Sequence, residues 1–572
     1  MTAIAESSVK QRAGDAVVAA LKAEGVEFVF GLVGSHVVEL YDALVDAPEI
    51  RHITVKHETT ASGMADAYGR ITGKPGVCLV TAGPGATNSL TGVAQAYMAA
   101  SPLIHISGAV PRGASYESFH GVDRDAFLLP MFEEVTKWSV AIERAEDIPA
   151  VFAEAFRIAT SDRPGPVHIE IPQNVLSGDA TEIPVYRPAT RDDTSLERSE
   201  LDEIVSRIRE SEKPVIWAGK GVKATFAHDE LAELAELLEA PVILGGDASG
   251  SLPDIHPLST GQHSLYQLSP MQRDIASEAD LIFVVGERGG TGHADRIFES
   301  TGAPVGGIWL GNEGELPDSR SAFGAVAHVK TALNQLIEAA GDQQRERSEE
   351  LRTRLSDGKE ELRKAVMSWV HAEYGQRRPM HYGVALETLR DFVDDDTIVM
   401  GDIGEHNQWS RLLVETRNRT TFVPEGYWGA MGFGLPGAMA AKLAEPEKRV
   451  ACVTGDGCFL MASADFSTAV ECGINPVVII LNDRQYGMIV GMQRSAYGRV
   501  SNTGLDGPDF VAFSRSFGGD GMRVDEPEQM REALERGFKS DVIFVIDARC
   551  DFDFPSYNFD RALEMYREDS HS

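Results

Sequence analysis

The sequence predicts an α/β protein of three doubly wound parallel-sheet domains, and three observations predict it. Short apolar runs alternate with helical patterns along almost the whole chain, as strands alternate with the helices that cover a parallel sheet. A polar stretch near 178–200 and a charge-dense one at 342–364 cut the chain into three blocks of similar size. The 572 residues are ample for several cores, at roughly 100–200 residues per domain.

Taken in order, the first block is expected to form a domain over 8–178. Ile53-Thr54-Val55 reads as a strand, and Lys56-His57-Glu58 leads into a helix over 59–69. A glycine-rich run, Val80-Thr81-Ala82-Gly83-Pro84-Gly85-Ala86-Thr87-Asn88, follows, and the block closes near 163–172. The second domain is expected over 198–340, with strands at 214–219, 241–244 and 281–285. The charged segment at 342–364 reads as an exposed helical connector. The third domain is expected over 375–550.

Composition excludes several classes. Hydrophobic residues are 43% and charged residues 24% of the chain, ordinary for a soluble globular protein. Asp plus Glu number 87 against 53 Lys plus Arg, a net charge of −34. That balance argues against nucleic acid or an anionic membrane as partner. The first residues lack the apolar core of a secretory leader, and no apolar run approaches the ~18 residues of a membrane span. Cys78, Cys452, Cys458, Cys472 and Cys550 show no CxxC spacing, so buried free thiols in a reduced, cytoplasmic protein are expected.

The chemistry concentrates in the third block. Val450-Ala451-Cys452-Val453-Thr454 reads as a buried strand ending in Gly455-Asp456-Gly457, with a helical pattern over 459–471 and a stop at Gly473. A second strand over 476–481 ends in Asn482-Asp483. One βαβ unit makes the two strands parallel and near in the sheet. Asp456 and Asp483 then emerge at carboxyl ends, where open α/β sheets bind ligands and helix N-termini receive anions. Two carboxylates, a carbonyl and a diphosphate are what a hard divalent ion such as Mg²⁺ seeks. A Gly-Asp-Gly alone is commonly a turn; the 27-residue step to Asp483 across a strand–helix–strand unit favours the ligand reading.

At these residues the chain resembles the thiamine-diphosphate-dependent enzymes, whose signature is Gly-Asp-Gly followed by Asn-Asn. Here the second Asn is Asp483, which still offers an oxygen and adds charge. The resemblance implies that Asp456, Asp483 and the main-chain carbonyl of Gln485 hold Mg²⁺ on the cofactor's diphosphate. Gly455, Gly457, Tyr486, Gly487 and Met488 would line that end, with Glu405 and His406. Gly429 and Met431 match the segment whose apolar side chain wedges the cofactor into its bent shape. Lys56-His57-Glu58 is similar to the family's Arg-His-Glu, which makes Glu58 the acid on the aminopyrimidine. The thiazolium C2 proton is too weakly acidic for a surface base, and a carboxyl on the pyrimidine shifts that ring toward the tautomer that removes it. Gly34, Gly83, Pro84 and Asn88 match cofactor-binding positions of the same side.

The resemblance covers nearly the whole chain in the order pyrimidine-binding, central and diphosphate-binding domain, and is strongest to the acetolactate-synthase and acyloin-lyase branch. It implies decarboxylation of a 2-oxo acid, pyruvate first, with carboligation to a second carbonyl compound. It also implies a homodimer at minimum, with a homotetramer open, because the family's cofactor lies between subunits. Other readings are a decarboxylase or acyloin lyase with a different acceptor, an FAD-dependent pyruvate oxidase, and a catalytically silent binding protein of the same fold. Glu58, Asp456 and Asp483 together argue against the last. Two departures bear on the acceptor. Met492 stands where the branch carries a tryptophan. Phe119-His120-Gly121 stands near its Phe-Gln-Glu, making His120 a candidate catalytic proton donor and leaving Lys137 structural. Val284-Val285-Gly286-Glu287-Arg288 echoes a segment that grips FAD, but Gly289-Gly290-Thr291-Gly292 replaces its acidic companion run. FAD remains an optional third cofactor beside thiamine diphosphate and Mg²⁺.

Overall fold

A computed structural model describes residues 12–113, 119–122, 127–178, 182–261, 268–288, 298, 301–309, 322–341, 344–551 and 559–570. The first eleven residues, with the start of the expected first domain, lie outside the described residues, as does the 289–292 run.

Three sheets form, and every pairing in them is parallel. The first contains β1 (Phe28–Leu32), β2 (Arg51–Thr54), β3 (Gly76–Val80), β4 (Leu103–Ala109), β5 (Trp138–Ala141) and β6 (Pro166–Pro172) in the order β2-β1-β3-β4-β6-β5. The second contains β7 (Pro214–Ala218), β8 (Val242–Leu244), β9 (Leu281–Glu287), β10 (Val305–Trp309) and β11 (Phe323–Val326), ordered β11-β10-β9-β7-β8. The third holds β12 (Met380–His381), β13 (Thr397–Gly401), β14 (Phe422–Val423), β15 (Arg449–Gly455), β16 (Val477–Asn482), β17 (Asp520–Val524) and β18 (Phe544–Asp551). Its order is β12-β18-β16-β15-β13-β14, with β17 on β18.

Central strands such as β3, β4, β6 and β16 are buried at every residue, because helices cover both faces and leave no solvent side for an alternating pattern. The three sheets repeat one device. β1 lies between β2 and β3, β7 between β8 and β9, and β13 between β14 and β15. Chain direction across the sheet therefore reverses beside β1, β7 and β13, which opens a crevice at the carboxyl ends of the strands there.

The chain divides at Asp192/Asp193 into two compact units, the second holding the central and third sheets. Two expectations need correction. The helix Glu349–Tyr374 is not an exposed connector: Leu355 is buried in the core of the central sheet, and Leu362, Val366, Trp369 and Val370 in that of the third. The expected helix over 459–471 begins at Asp456 and breaks into a 3₁₀ turn at Ser463–Asp465 before resuming over Phe466–Cys472. Ser463 Oγ donates to the Leu460 carbonyl and Asp465 accepts from Thr468 Oγ1, side-chain bonds that compete with the helical ladder. Of the five cysteines, all free, four are buried and Cys472 is half-buried. No helix among the described residues is long and apolar enough to cross a membrane.

Candidate active site

In the first unit, Glu58 opens the helix Glu58–Thr72, where the N-terminal dipole favours a carboxylate. The preceding His57 caps that helix, its Nδ1 accepting from Thr59 N at 3.2 Å. Glu58 is buried at 8% exposure, and Asn88 Nδ2 donates to its Oε2 at 3.0 Å. Asn88 lies on the helix Pro84–Ala99, whose main chain is held in turn by Thr59 Oγ1 donating to the Asn88 carbonyl at 2.6 Å. Gly83 caps that helix at φ +59°, and a Cβ there would stand 2.6 Å from the His120 carbonyl. A Cβ on Gly34, in the loop after β1, would meet Thr81 at 2.4 Å. Gly34, Glu58, Gly83, Pro84, Asn88 and His120 thus gather at the crevice beside β1.

The sequence reading omitted His36, which is 5% exposed and packs its ring against His120. Lys137 is structural as expected: its ammonium donates to the carbonyls of Ile158 and Ser161. Burial holds that lysine down to about 8.

In the second unit, Asp456 directly follows β15 and Asp483 directly follows β16, and the two strands pair. Asp456 is 3% exposed and accepts from Gly457 N at 2.9 Å. Burial pushes it up to about 6. Burial, and then the charge of Asp456, push Asp483 up to about 7. Asp483 Oδ1 accepts from Gln485 N at 3.2 Å, and the carboxylate also accepts from the side chains of Tyr382 and Gln485. Arg484, at φ +60°, turns the loop, and Tyr486 N then bonds to the Thr503 carbonyl. Two buried acids held above the usual range side by side fit a small hard cation. Among the described residues no three His, Cys, Asp or Glu gather as a metal cluster.

Asp402 organises the loops around this pair. It is fully buried after β13; Oδ1 accepts from Ile403 N and Gly432 N, and Oδ2 from Gly434 N and Thr454 Oγ1, at 2.9–3.1 Å. One carboxylate therefore ties the Met431 loop to the end of β15, two residues before Asp456. Burial alone would raise this acid, and the four donors oppose that. The sequence does not single out Asp402, because three of its four donors lie 30 to 52 positions away.

His406 lies in the first turn of the helix Glu405–Leu413, 4% exposed, held down to about 4 by burial, with Nε2 lacking a partner. Gly455 faces the same ring at 3.3 Å from its would-be Cβ. A helix N-terminus with an unused buried imidazole nitrogen suits a diphosphate. Met431 is half-buried and Gly429 sits in the same loop at φ +72°. Gly457 packs beneath Tyr486, and Gly487 opens the helix Gly487–Tyr497 that carries Met488 and Met492, the latter 46% exposed.

Beside β7 the described loops pack closely. Cβ atoms on Gly219 and Gly221 would stand 2.4 Å and 2.8 Å from the Cα atoms of Glu287 and Gly286, so the loops after β7 and β9 close on each other. The Glu287 carboxylate accepts from Trp217 Nε1 at 3.1 Å and Arg288 N at 3.0 Å, and stands 2.6 Å from a would-be Cβ on Gly245.

Family models of thiamine pyrophosphate enzymes match three stretches of the chain: the N-terminal TPP binding domain at 11–127, the central domain at 201–336 and the C-terminal TPP binding domain at 402–548. The chain is 32% identical to a probable acetolactate synthase large subunit of Methanocaldococcus jannaschii, over 94% of this chain and 91% of the relative. It is 31% identical to the acetolactate synthase isozyme 3 large subunit of Escherichia coli, over 92% and 93%. It is also 31% identical to an acetolactate synthase of Mycobacterium bovis, over 91% and 85%.

Proposed function

The chain belongs to the thiamine pyrophosphate enzyme family, and from that premise we propose that it decarboxylates pyruvate and joins the remaining two-carbon fragment to a second 2-oxo acid, forming an acetohydroxyacid. The observation that carries this reading is the end-to-end likeness to acetolactate synthase large subunits, joined to the buried Asp456/Asp483 pair and the buried Glu58. When bound, thiamine diphosphate supplies a carbon nucleophile and an electron sink. Asp456, Asp483 and the Gln485 carbonyl hold Mg²⁺, and His406 with the Glu405 helix terminus takes the diphosphate. Gly455, Gly457, Tyr486, Gly487 and Met488 wall that end, while Met431 and Gly429 shape the middle. Glu58, oriented by Asn88, keeps a proton at the pyrimidine ring, with Gly34, Gly83 and Pro84 allowing close approach. His120 serves the oxygen of the reacting carbonyl.

The smallest active unit is a homodimer, a homotetramer being the larger option, and the protein works in the cytoplasm on small 2-oxo acids without nucleic acid or membrane. Its working domain limits are 8–178, 198–340 and 375–550. FAD stays an optional third cofactor, and an FAD-dependent pyruvate oxidase stays open as an alternative. A decarboxylase with another acceptor remains the second reading, favoured by exposed Met492 at the acceptor position. Purified protein given pyruvate, Mg²⁺ and thiamine diphosphate separates them: acetolactate supports the synthase, whereas acetaldehyde with CO₂ and no acetolactate replaces it with the decarboxylase.

A further inference from the structure

His36 follows Gly34 and Ser35 in the loop after β1. Its Nδ1 lies 3.0 Å from Ser35 Oγ, and the main-chain carbonyl of Phe119 accepts a hydrogen bond from the ring. The imidazole stacks on Phe119 with ring centroids 6.4 Å apart and lies 5.1 Å from His120, while the Phe119 and His120 rings stack at 4.0 Å. His120 holds φ +67°, a left-handed conformation that a non-glycine residue keeps only when its surroundings impose it. Its carbonyl presses on Gly83; two residues further on, Gly85 stands 3.5 Å from Glu58 Oε1, measured from a would-be Cβ. The Nδ1 of His120 is buried without a hydrogen-bond partner. A strained histidine with an unused nitrogen, clamped by a second buried histidine over the turn that faces Glu58, is more than packing requires.

We propose that His36 is a positioning residue that locks the Phe119–His120 segment, so that the His120 imidazole meets the oxygen of the 2-oxo acid's reacting carbonyl. The inference rests on the function proposed above. As the carbonyl carbon gains its new bond, the oxygen gains the charge. An N–H bond of the His120 imidazolium breaks, the O–H bond forms, and a neutral imidazole and a hydroxyl remain. The reverse transfer restores both. Burial disfavours charge on either ring, and the nearness of His120 further disfavours it on His36. His36 therefore acts as the neutral partner that bonds to Ser35 and the Phe119 carbonyl.

Three variants test this. His36→Phe keeps a ring to stack but removes the donor to Phe119, His36→Asn keeps a donor without the ring, and His120→Gln removes the proton carrier. Turnover and KM for pyruvate are measured with Mg²⁺ and thiamine diphosphate. The ¹⁵N spectrum of the histidine rings is recorded on cofactor-free protein, with His120 assigned by its loss in His120→Gln. The expectation is a kcat loss of roughly 10²-fold or more in His120→Gln and of about tenfold in His36→Phe. KM should be little changed in both, and His36→Asn should recover most of the loss. The His120 ring signal should be single and sharp in wild type and His36→Asn, but averaged between tautomers in His36→Phe. Full kcat and an unchanged His120 signal in His36→Phe would overturn the positioning role. Full kcat in His120→Gln removes the proton carrier and the proposal with it, while leaving the family reading intact. A wild type that does not consume pyruvate sinks the proposed function, and the cofactor-free spectrum then still decides whether His36 orders His120.

Discussion

At the crevice beside β1 the important acid is matched: Glu58 has Asn88 at 3.0 Å, and Asn88 is itself held by Thr59. At the crevice beside β13 the acids are crowded by burial and by one another. Asp456 and Asp483 are held at about 6 and about 7, and Glu425, 2% exposed and accepting from Asn407 Nδ2, is pushed up to about 8, in each case chiefly by burial. Both crevices come from the same sheet device, so the difference lies in the loops. The first crevice meets its buried carboxylate with an amide, whereas the second sets two buried carboxylates side by side. Removing a group from the first should therefore slow chemistry without emptying the site. Removing one from the second should change what binds.

The comparison breaks most sharply at Glu58. Glu58→Gln keeps the hydrogen-bonding shape and should bind cofactor normally, yet slow exchange of the cofactor's C2 proton by roughly 10²–10⁴-fold. An exchange rate equal to wild type, read by NMR after a quench, would remove Glu58 from the chemistry. On the other side, Asp456→Ala should weaken Mg²⁺ and thiamine diphosphate together by about 10²-fold or more, because the ion bridges protein to diphosphate. Asp483→Asn should retain both, since an amide oxygen still reaches the ion. Calorimetric titration checks the pair, and metal binding that survives Asp456→Ala would place the ion elsewhere.

Met492→Trp tests the proposed acceptor side of the same half. A flat indole in place of a flexible thioether should raise preference for 2-oxobutyrate over pyruvate by roughly 10–200-fold, the worth of a methylene in a shaped pocket. The ratio of the two acetohydroxyacids in a competition assay measures it, and an unchanged ratio would show that Met492 does not face the acceptor. The smallest effect is on stability. Glu425 has a folded value raised above 4.5 to about 8, so between those pH values the folded chain binds more protons than the unfolded one. Its contribution must therefore fall as pH rises through that window. Glu425→Gln should flatten the loss of stability between about pH 5 and 8, on the order of a few kcal/mol. Denaturant unfolding at several pH values reads the slope, and parallel curves for the two proteins would mean that Glu425 does not titrate in that window.

Much of the fold and part of the site were legible because they are local. Asp456 and Asp483 each end an apolar run, and the helix between them forces those runs to be parallel neighbours. Glu58 stands where a strand gives way to a helix. His36 was illegible because its significance lies in His120, 84 positions away, and no periodicity connects two loops. Asp402 has the same difficulty, since four donors from three segments meet on it. The break at Ser463–Asp465 was missed because the apolar pattern runs straight through it, while side-chain bonds to the backbone decide the local geometry. The helix Glu349–Tyr374 looked exposed because its charges outnumber its apolar residues, although Leu355, Leu362 and Val366 make one buried stripe.

That last helix carries a consequence for dissecting the molecule. Leu355 belongs to one core and Leu362 to the next. Arg411, on the helix of His406, also reaches from the third sheet to Ser249 Oγ at 3.0 Å and Asp247 at 3.5 Å. A cut at 342–348 would strand half an apolar stripe in water and leave a buried guanidinium without its acceptors. The interchangeable modules in chimaeras or split-gene complementation are therefore two rather than three, and the natural suture is the irregular stretch at 182–197.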